Sequence, residues 1–154
     1  MNDKICYISY EDVLKVYRKM IDASGGILAT LDFVQSDIYY PTFAEKLCYL
    51  VFQFCSGHYF NDGNKRIALT LGAYFLHQNH CPWEACIFMR QFEAIVYQVA
   101  ASNIDQALLL RIMAAFVARE DYDEALKIDI ANAMSRGKLG FSSEDDNSED
   151  VLIR

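Results

Sequence analysis

The chain has no apolar run long and uncharged enough to span a bilayer, which takes about 20 residues. Its start, MNDKICY, predicts no signal peptide. It has no surplus of positive charge: 14 Lys and Arg stand against 21 Asp and Glu, a formal charge of −7. That balance argues against a general affinity for nucleic acid, and no direct nucleic-acid binding and no membrane partner are expected. A cysteine framework is missing too. Five cysteines is an odd count without disulfide spacing, so they are expected to be reduced and mostly buried in a cytoplasmic protein. No P-loop is present, because Gly57 and Gly63 have the wrong spacing and no Lys-Ser or Lys-Thr follows. His77, His80, Cys81 and Cys86 match no zinc spacing, and paired Cys-x-x-Cys knuckles are absent. A helix end followed by the turn Asn79-His80-Cys81-Pro82 explains the same residues, with Trp83 expected in the core. There are no internal repeats.

What is there points to one packed domain. The 154 residues are 53% hydrophobic and 14% aromatic, enough to bury a sizeable core. The domain is expected to run over 1–137. From Lys138 the character changes: FSSEDDNSED carries five carboxylates and little that packs, so 138–154 reads as an acidic, disordered tail.

Periodicity gives helices throughout. Ser9 with Asp12 caps a helix over Tyr10–Ala23, with apolar positions at Val13, Leu14, Val16, Tyr17, Met20 and Ile21, and Ser24-Gly25-Gly26 ends it. The stretch 27–41 could be a short helix, a short β-hairpin or an irregular covering loop. Thr42-x-x-Glu45 is a capping-box pattern that opens a core helix through Phe43, Leu47, Leu50, Val51 and Phe54, stopped by Gly57. A second core helix starts at Asn64 or Arg66 and runs to about His77. Phe88–Ala100 reads as one helix. Ser102 with Asp105 caps another, and Asp121-x-x-Glu124 caps the last, which ends near Arg136-Gly137. The fold class is therefore all-α, a single domain of about six or seven helices built around the pair 42–57 and 64–79.

Between those two core helices lies His58-Tyr59-Phe60-Asn61-Asp62-Gly63-Asn64-Lys65-Arg66. Burying an unpartnered charge costs several kcal/mol, of order ~3–5 when a partner is lost, so this density of polar groups predicts a cleft that a charged ligand completes. A helix N-terminus offers unpaired N–H groups and a positive dipole, which favour a phosphate. Each residue suits that chemistry. His58 titrates near neutrality, with an unperturbed pKa of about 6.5. Asp62 is a hard donor for Mg²⁺. Gly63 permits a tight turn. Asn64 can cap the helix and donate to a phosphate oxygen. Lys65 and Arg66 add positive charge, Arg66 as a planar fork. Phe60 is expected to point inward as the loop's anchor.

The run HYFNDGNKR resembles the Fic/Doc (Fido) superfamily signature His-x-Phe-x-Asp/Glu-Gly/Ala-Asn-x-Arg, and the resemblance extends over about 8–120, strongest at 39–76. Lys65 stands where AMP-transferring Fic enzymes usually carry Gly. The run continues Ile67-Ala68-Leu69 without a second Arg, which looks like the Doc, death-on-curing, branch. The resemblance implies a helical Fido fold, with the 27–41 stretch as a flap that pairs with the target, although the Arg-Asp pair often seen there is absent. It implies ATP or another nucleoside triphosphate with Mg²⁺, and transfer of a phosphate to a Ser or Thr hydroxyl of a target protein, elongation factor Tu in the family. His58 would be the base, Asp62 would hold Mg²⁺, and Gly63, Asn64, Lys65 and Arg66 would bind phosphate, with Lys65 and Arg66 also taking part in transfer. AMP transfer is the alternative, and a non-catalytic interaction domain the second. No Ser/Thr-x-x-x-Glu-Gly/Asn-Asn self-inhibitory pattern occurs, which implies restraint by a separate antitoxin.

Overall fold

The computed structural model describes residues 5–7, 11, 32, 35–57 and 63–137. The expected Tyr10–Ala23 helix and its caps, His58, Phe60, Asp62 and the 138–154 tail lie outside the described residues. Among those described, regular structure is helical and no strand occurs, as the all-α reading requires.

Local chemistry starts most of the helices. α1, Phe43–Ser56, opens on the expected capping box. The Glu45 N–H donates to the Thr42 hydroxyl at 3.2 Å, and the Thr42 N–H donates back to the Glu45 carboxylate at 3.0 Å. α1 ends at Gly57, whose N–H donates to the Gln53 carbonyl; its φ of −76° is ordinary right-handed backbone. α2 is Asn64–Gln78. The turn after it follows expectation: the Cys81 N–H donates to the Leu76 carbonyl at 3.0 Å. α3, Pro82–Gln91, has proline in its first turn, where a missing N–H costs nothing. α4 is Glu93–Ala100. α5, Gln106–Ala118, is capped by Asp105 alone, which accepts from the Leu108 N–H at 2.8 Å; Ser102, expected to share the cap, lies outside the helix at φ 63°. α6 spans 124–137. Its first turn is capped by Asp123, not by the expected Asp121, through the Leu126 N–H at 2.8 Å.

Three other expectations are corrected. Phe88–Ala100 is not one helix. Phe92 breaks it at φ −95°, ψ −1°, because its buried ring wedges between Phe88, 4.5 Å away, and Phe116, 5.0 Å away. Trp83 is not in the core. It sits in the first turn of α3 and is 67% exposed. Nor are the cysteines mostly buried: Cys48 and Cys55 are, Cys81 is half-buried, and Cys6 and Cys86 are exposed. All five are free, as expected. Of the stretch 27–41, residue 32 is helical and 35–41 form a succession of turns, while 27–31 and 33–34 lie outside the described residues.

α1 is the central element. It packs on α2, α4 and α5, while α2 also packs on α3 and α4. Leu47, Leu50, Val51 and Phe54 of α1 meet Ile67, Leu71 and Phe75 of α2 in the fully buried core. Each such side chain contributes about 1.5–3 kcal/mol by leaving water. Gly72 allows the close approach of α1, α2 and α3. A Cβ there would lie 2.6 Å from the Phe88 ring and 2.9 Å from Val51 Cγ2.

The turns at 35–41 are tied down by an unexpected residue. Lys46, fully buried on α1, donates to the Tyr40 carbonyl and pairs with Asp37 at 2.9 Å. Asp37 also accepts from the Tyr7 hydroxyl at 3.1 Å. The hydrogen bond from Lys46, then that from Tyr7, then the Lys46 charge, hold the Asp37 carboxyl below its ordinary pKa. A carboxylate with a depressed folded pKa stabilises above its unfolded value, about 3.9 for Asp, and loses that contribution as pH falls through the folded value.

Two outcomes are expected. Gly72→Ala gains about 1 kcal/mol of helix propensity, yet overpacking costs about 1–3 kcal/mol. The Phe88 ring cannot retreat, because it is stacked on Phe92 and fully buried, so urea denaturation should show net destabilisation. Asp37→Asn should flatten part of the loss of stability as pH falls below about 4, read from denaturation midpoints across the acid range.

Candidate functional site

The described half of the motif is the first turn of α2. Gly63 is its N-cap, at φ 81° and ψ 13°, a left-handed conformation that glycine adopts without penalty. Asn64 was read as a possible cap; it is instead the first helical residue, and the cap carries no side-chain hydrogen bond. The Gly63 carbonyl accepts from the Ile67 N–H at 2.9 Å, closing the first helical turn.

That turn has no acidic residue and two basic ones, Lys65 and Arg66, both exposed. A cation at the positive end of a helix dipole is unfavourable by about 0.3–1 kcal/mol at low ionic strength. α1 shows the favourable arrangement, with Glu45 in its first turn. An anion held between the helix end and the two side chains would relieve the reversal in α2. Burial fixes the arrangement. Ile67 and Ala68, next along the chain, are in the core, so the helix cannot roll. Among the described residues the Arg66 guanidinium has no ion pair. Its carbonyl accepts from the Thr70 hydroxyl at 2.8 Å.

Lys65 leans toward α4. Its ammonium lies 5.6 Å from the centroid of the half-exposed Tyr97 ring, within cation–π range. Cys55, near the end of α1, is close enough to feel that charge. Burial pushes the Cys55 thiol up to about 11, against smaller opposing pulls from Lys65 and the Ala100 backbone. The thiol donates to the Val96 carbonyl at 3.4 Å, which ties α1 to α4 beside the motif. Tyr97 was not singled out from the sequence. Its only signal there was a single aromatic in the segment EAIVYQVA.

The structure thus brings Gly63, Asn64, Lys65 and Arg66 together in one helical turn. His58 and Asp62, the expected base and Mg²⁺ ligand, lie outside the described residues. The donor set that is described, backbone N–H groups with an ammonium and a guanidinium, fits phosphate oxygens. A separate cleft of about 620 Å³, lined by Trp83, Glu84, Ile87, Ile95, Phe116 and Arg119 among others, contains no motif residue. Among the described residues no group of three His, Cys, Asp or Glu is placed to hold a metal ion, and no helix is long and apolar enough to cross a membrane.

Residues 7–76 match the model of the Fic/DOC family, just under half of the 154-residue chain. The match takes in α1, the whole motif and α2 as far as Leu76. It stops well short of residue 120, to which the sequence resemblance was drawn. No curated protein matches the chain, and no solved structure does.

The α1–α4 seam behind the motif can be read chemically. Burial holds Cys48 at about 12 and Cys55 at about 11, so both thiols stay protonated at pH 8. Iodoacetamide should modify exposed Cys6 and Cys86 first, with Cys48 and Cys55 spared in the folded protein, as peptide mass spectrometry would report. Early labelling of Cys55 would mean that the seam opens.

Proposed function

We propose that this chain is a Doc-like phosphotransferase that moves the γ-phosphate of ATP, or of another nucleoside triphosphate, to a Ser or Thr hydroxyl of a target protein. The observation that carries the reading is the acid-free first turn of α2, with Gly63 left-handed at its cap and Lys65 and Arg66 beside it. The family match over this segment supports it.

The residues divide the work as follows. His58 takes the proton of the target hydroxyl as its oxygen attacks the γ-phosphorus. The bond from that phosphorus to the bridging oxygen breaks, and the nucleoside diphosphate leaves. Gly63 and Asn64 hold one phosphate at the helix end, Arg66 clamps another as a fork, and Lys65 adds charge where it develops. Asp62 is the carboxylate that would hold Mg²⁺, which when bound neutralises charge on the phosphate oxygens. The target class carried over from the resemblance is a translation elongation factor. The restraining partner is a separate antitoxin, whose Glu would compete for Arg66.

A second reading has its own support. Lys65 lies on Tyr97 of α4. A side chain drawn aside in this way leaves room of the kind that a glycine at that position leaves for an α-phosphate, and this favours AMP transfer.

ATP labelled separately at the α- and γ-phosphates decides between them, with Mg²⁺, the purified chain and a cell lysate. The γ-label should appear on a protein of translation-factor size, and His58→Ala should reduce transfer by about 10²–10⁴-fold. Transfer of the α-label instead would establish AMP transfer. Nucleotide binding without either transfer would leave an interaction domain. Arg66→Ala should weaken nucleotide binding and transfer together, measured by calorimetry and the same assay.

A further inference from the structure

A buried carboxylate at the far end of α2 is only half satisfied. Glu84, in the first turn of α3, is 4% exposed. Its Oε1 accepts from Arg119 Nε, while its Oε2 has neither solvent nor a hydrogen-bond partner. Buried polar atoms in native proteins are nearly always satisfied, so an orphan of this kind calls for a function. Burial raises the Glu84 pKa. The Arg119 hydrogen bond, the residue's own N–H and the Arg119 charge outweigh that and leave it below the ordinary value, so the group is an anion at neutral pH.

Its partner is an arm in solvent. The Arg119 side chain is 71% exposed and engages Glu84 through one nitrogen. Arg119 also occupies the left-handed position that ends α5, at φ 56° and ψ 39°. The Glu120 N–H donates to the Ala115 carbonyl at 3.0 Å and the Arg119 N–H to the Phe116 carbonyl at 3.2 Å, a helix ending that usually takes glycine. An arginine there accepts backbone strain, and what it adds over glycine is the guanidinium over Glu84.

Both residues line the cleft of about 620 Å³, within the range of ligand sites. Its other charged residues are Glu120 and Asp121, exposed and without an ion pair among the described residues. Three carboxylates therefore face one guanidinium. Ile87, Ile95 and Phe116 give an apolar wall, and Trp83 stands at the rim, 67% exposed. An indole face beside carboxylates is suited to a cation carried on an apolar stem.

We infer that this cleft docks a partner protein through a basic side chain, arginine or lysine, with an apolar residue beside it. The incoming cation takes the place of the Arg119 arm on Glu84, stacks on Trp83 and is flanked by Glu120 and Asp121. Arg119 stands in for that side chain when the partner is absent. The cleft is separate from the motif. α2 has 15 residues, about 22 Å at 1.5 Å per residue, and Glu84 follows its C-terminal end whereas the motif feeds its N-terminal end. The proposal therefore stands whether or not the chain transfers phosphate.

Trp83 is the sole tryptophan of the chain and reports directly on the cleft. The full chain is titrated with acetyl-Leu-Arg-Leu-amide while Trp83 emission is followed. A saturable change is expected. The citrulline version, which keeps the shape and loses the charge, should bind at least about tenfold more weakly, and so should agmatine, which lacks the apolar neighbours. Glu84→Gln should weaken the peptide at least about tenfold. The double substitution Glu120→Gln, Asp121→Asn, on the surface and harmless to folding, should weaken it about threefold with an unchanged melting temperature. The proposal is overturned by a non-saturating signal, by equal affinity for the citrulline peptide or agmatine, or by a folded double variant that binds as the parent does.

Discussion

Ile67, Ala68 and Leu71 are buried against α1, and that burial fixes where α2 begins. A helix whose fourth residue is already in the core has no freedom to shift its first turn. Gly63, Asn64, Lys65 and Arg66 are thus held by the packing behind them, although Lys65 and Arg66 themselves face water. The same packing depends on Gly72, where Phe88 and Val51 come too close for any side chain. Through Phe88 the constraint passes to Phe92 and Phe116 and so to α5. The first turn of α2 is held in place because the aromatic core on its far side is packed.

Local patterns were the legible part of this fold. The Thr42–Glu45 capping box, the Asp105 cap and the turn after α2 depend on neighbours a few positions away, and the sequence states them directly. The all-α class followed from the same periodicities. What escaped reading was set by distant parts of the chain. Lys46 was not singled out among the apolar residues of its core helix, and the 35–41 turns bury it. The break at Phe92 comes from a ring in α5. Gly72 showed as one small residue in an apolar helix. Trp83 was assigned to the core on its size, and its place in the first turn of α3 leaves it in solvent. For the site, the motif's residue types pointed to phosphate chemistry, but the lean of Lys65 onto Tyr97 is tertiary and had no sequence signal.

Lys46 and Glu84 solve one problem in the same way. Each is a buried charge, and each has a partner that remains in solvent, Asp37 at 76% and Arg119 at 71% exposure. A salt bridge buried on both sides loses the hydration of two ions. Leaving one partner wet halves that loss and ties a surface segment to the core. The two pairs differ in completeness. Lys46 has two acceptors, the Tyr40 carbonyl and Asp37. Glu84 keeps one oxygen with no donor. The first pair is finished as structure, and the second keeps the unsatisfied oxygen from which the cation proposal is argued.

Charge distribution separates the two ends of α2. A formal charge of −7 repels nucleotides at long range. At physiological salt the Debye length is about 8 Å, so distant carboxylates are largely screened. What a phosphate meets at contact is the local set, and around α2's first turn that set is the helix dipole, Lys65 and Arg66 with no acid in the turn. At the other end, some 22 Å away by helix rise, the local set is Glu84, Glu120 and Asp121 against Arg119. The two ends of α2 thus present local charge of opposite sign. Screening keeps the acidic cleft from cancelling the cationic turn, so the two proposed sites, one for an anion and one for a cation, do not oppose each other.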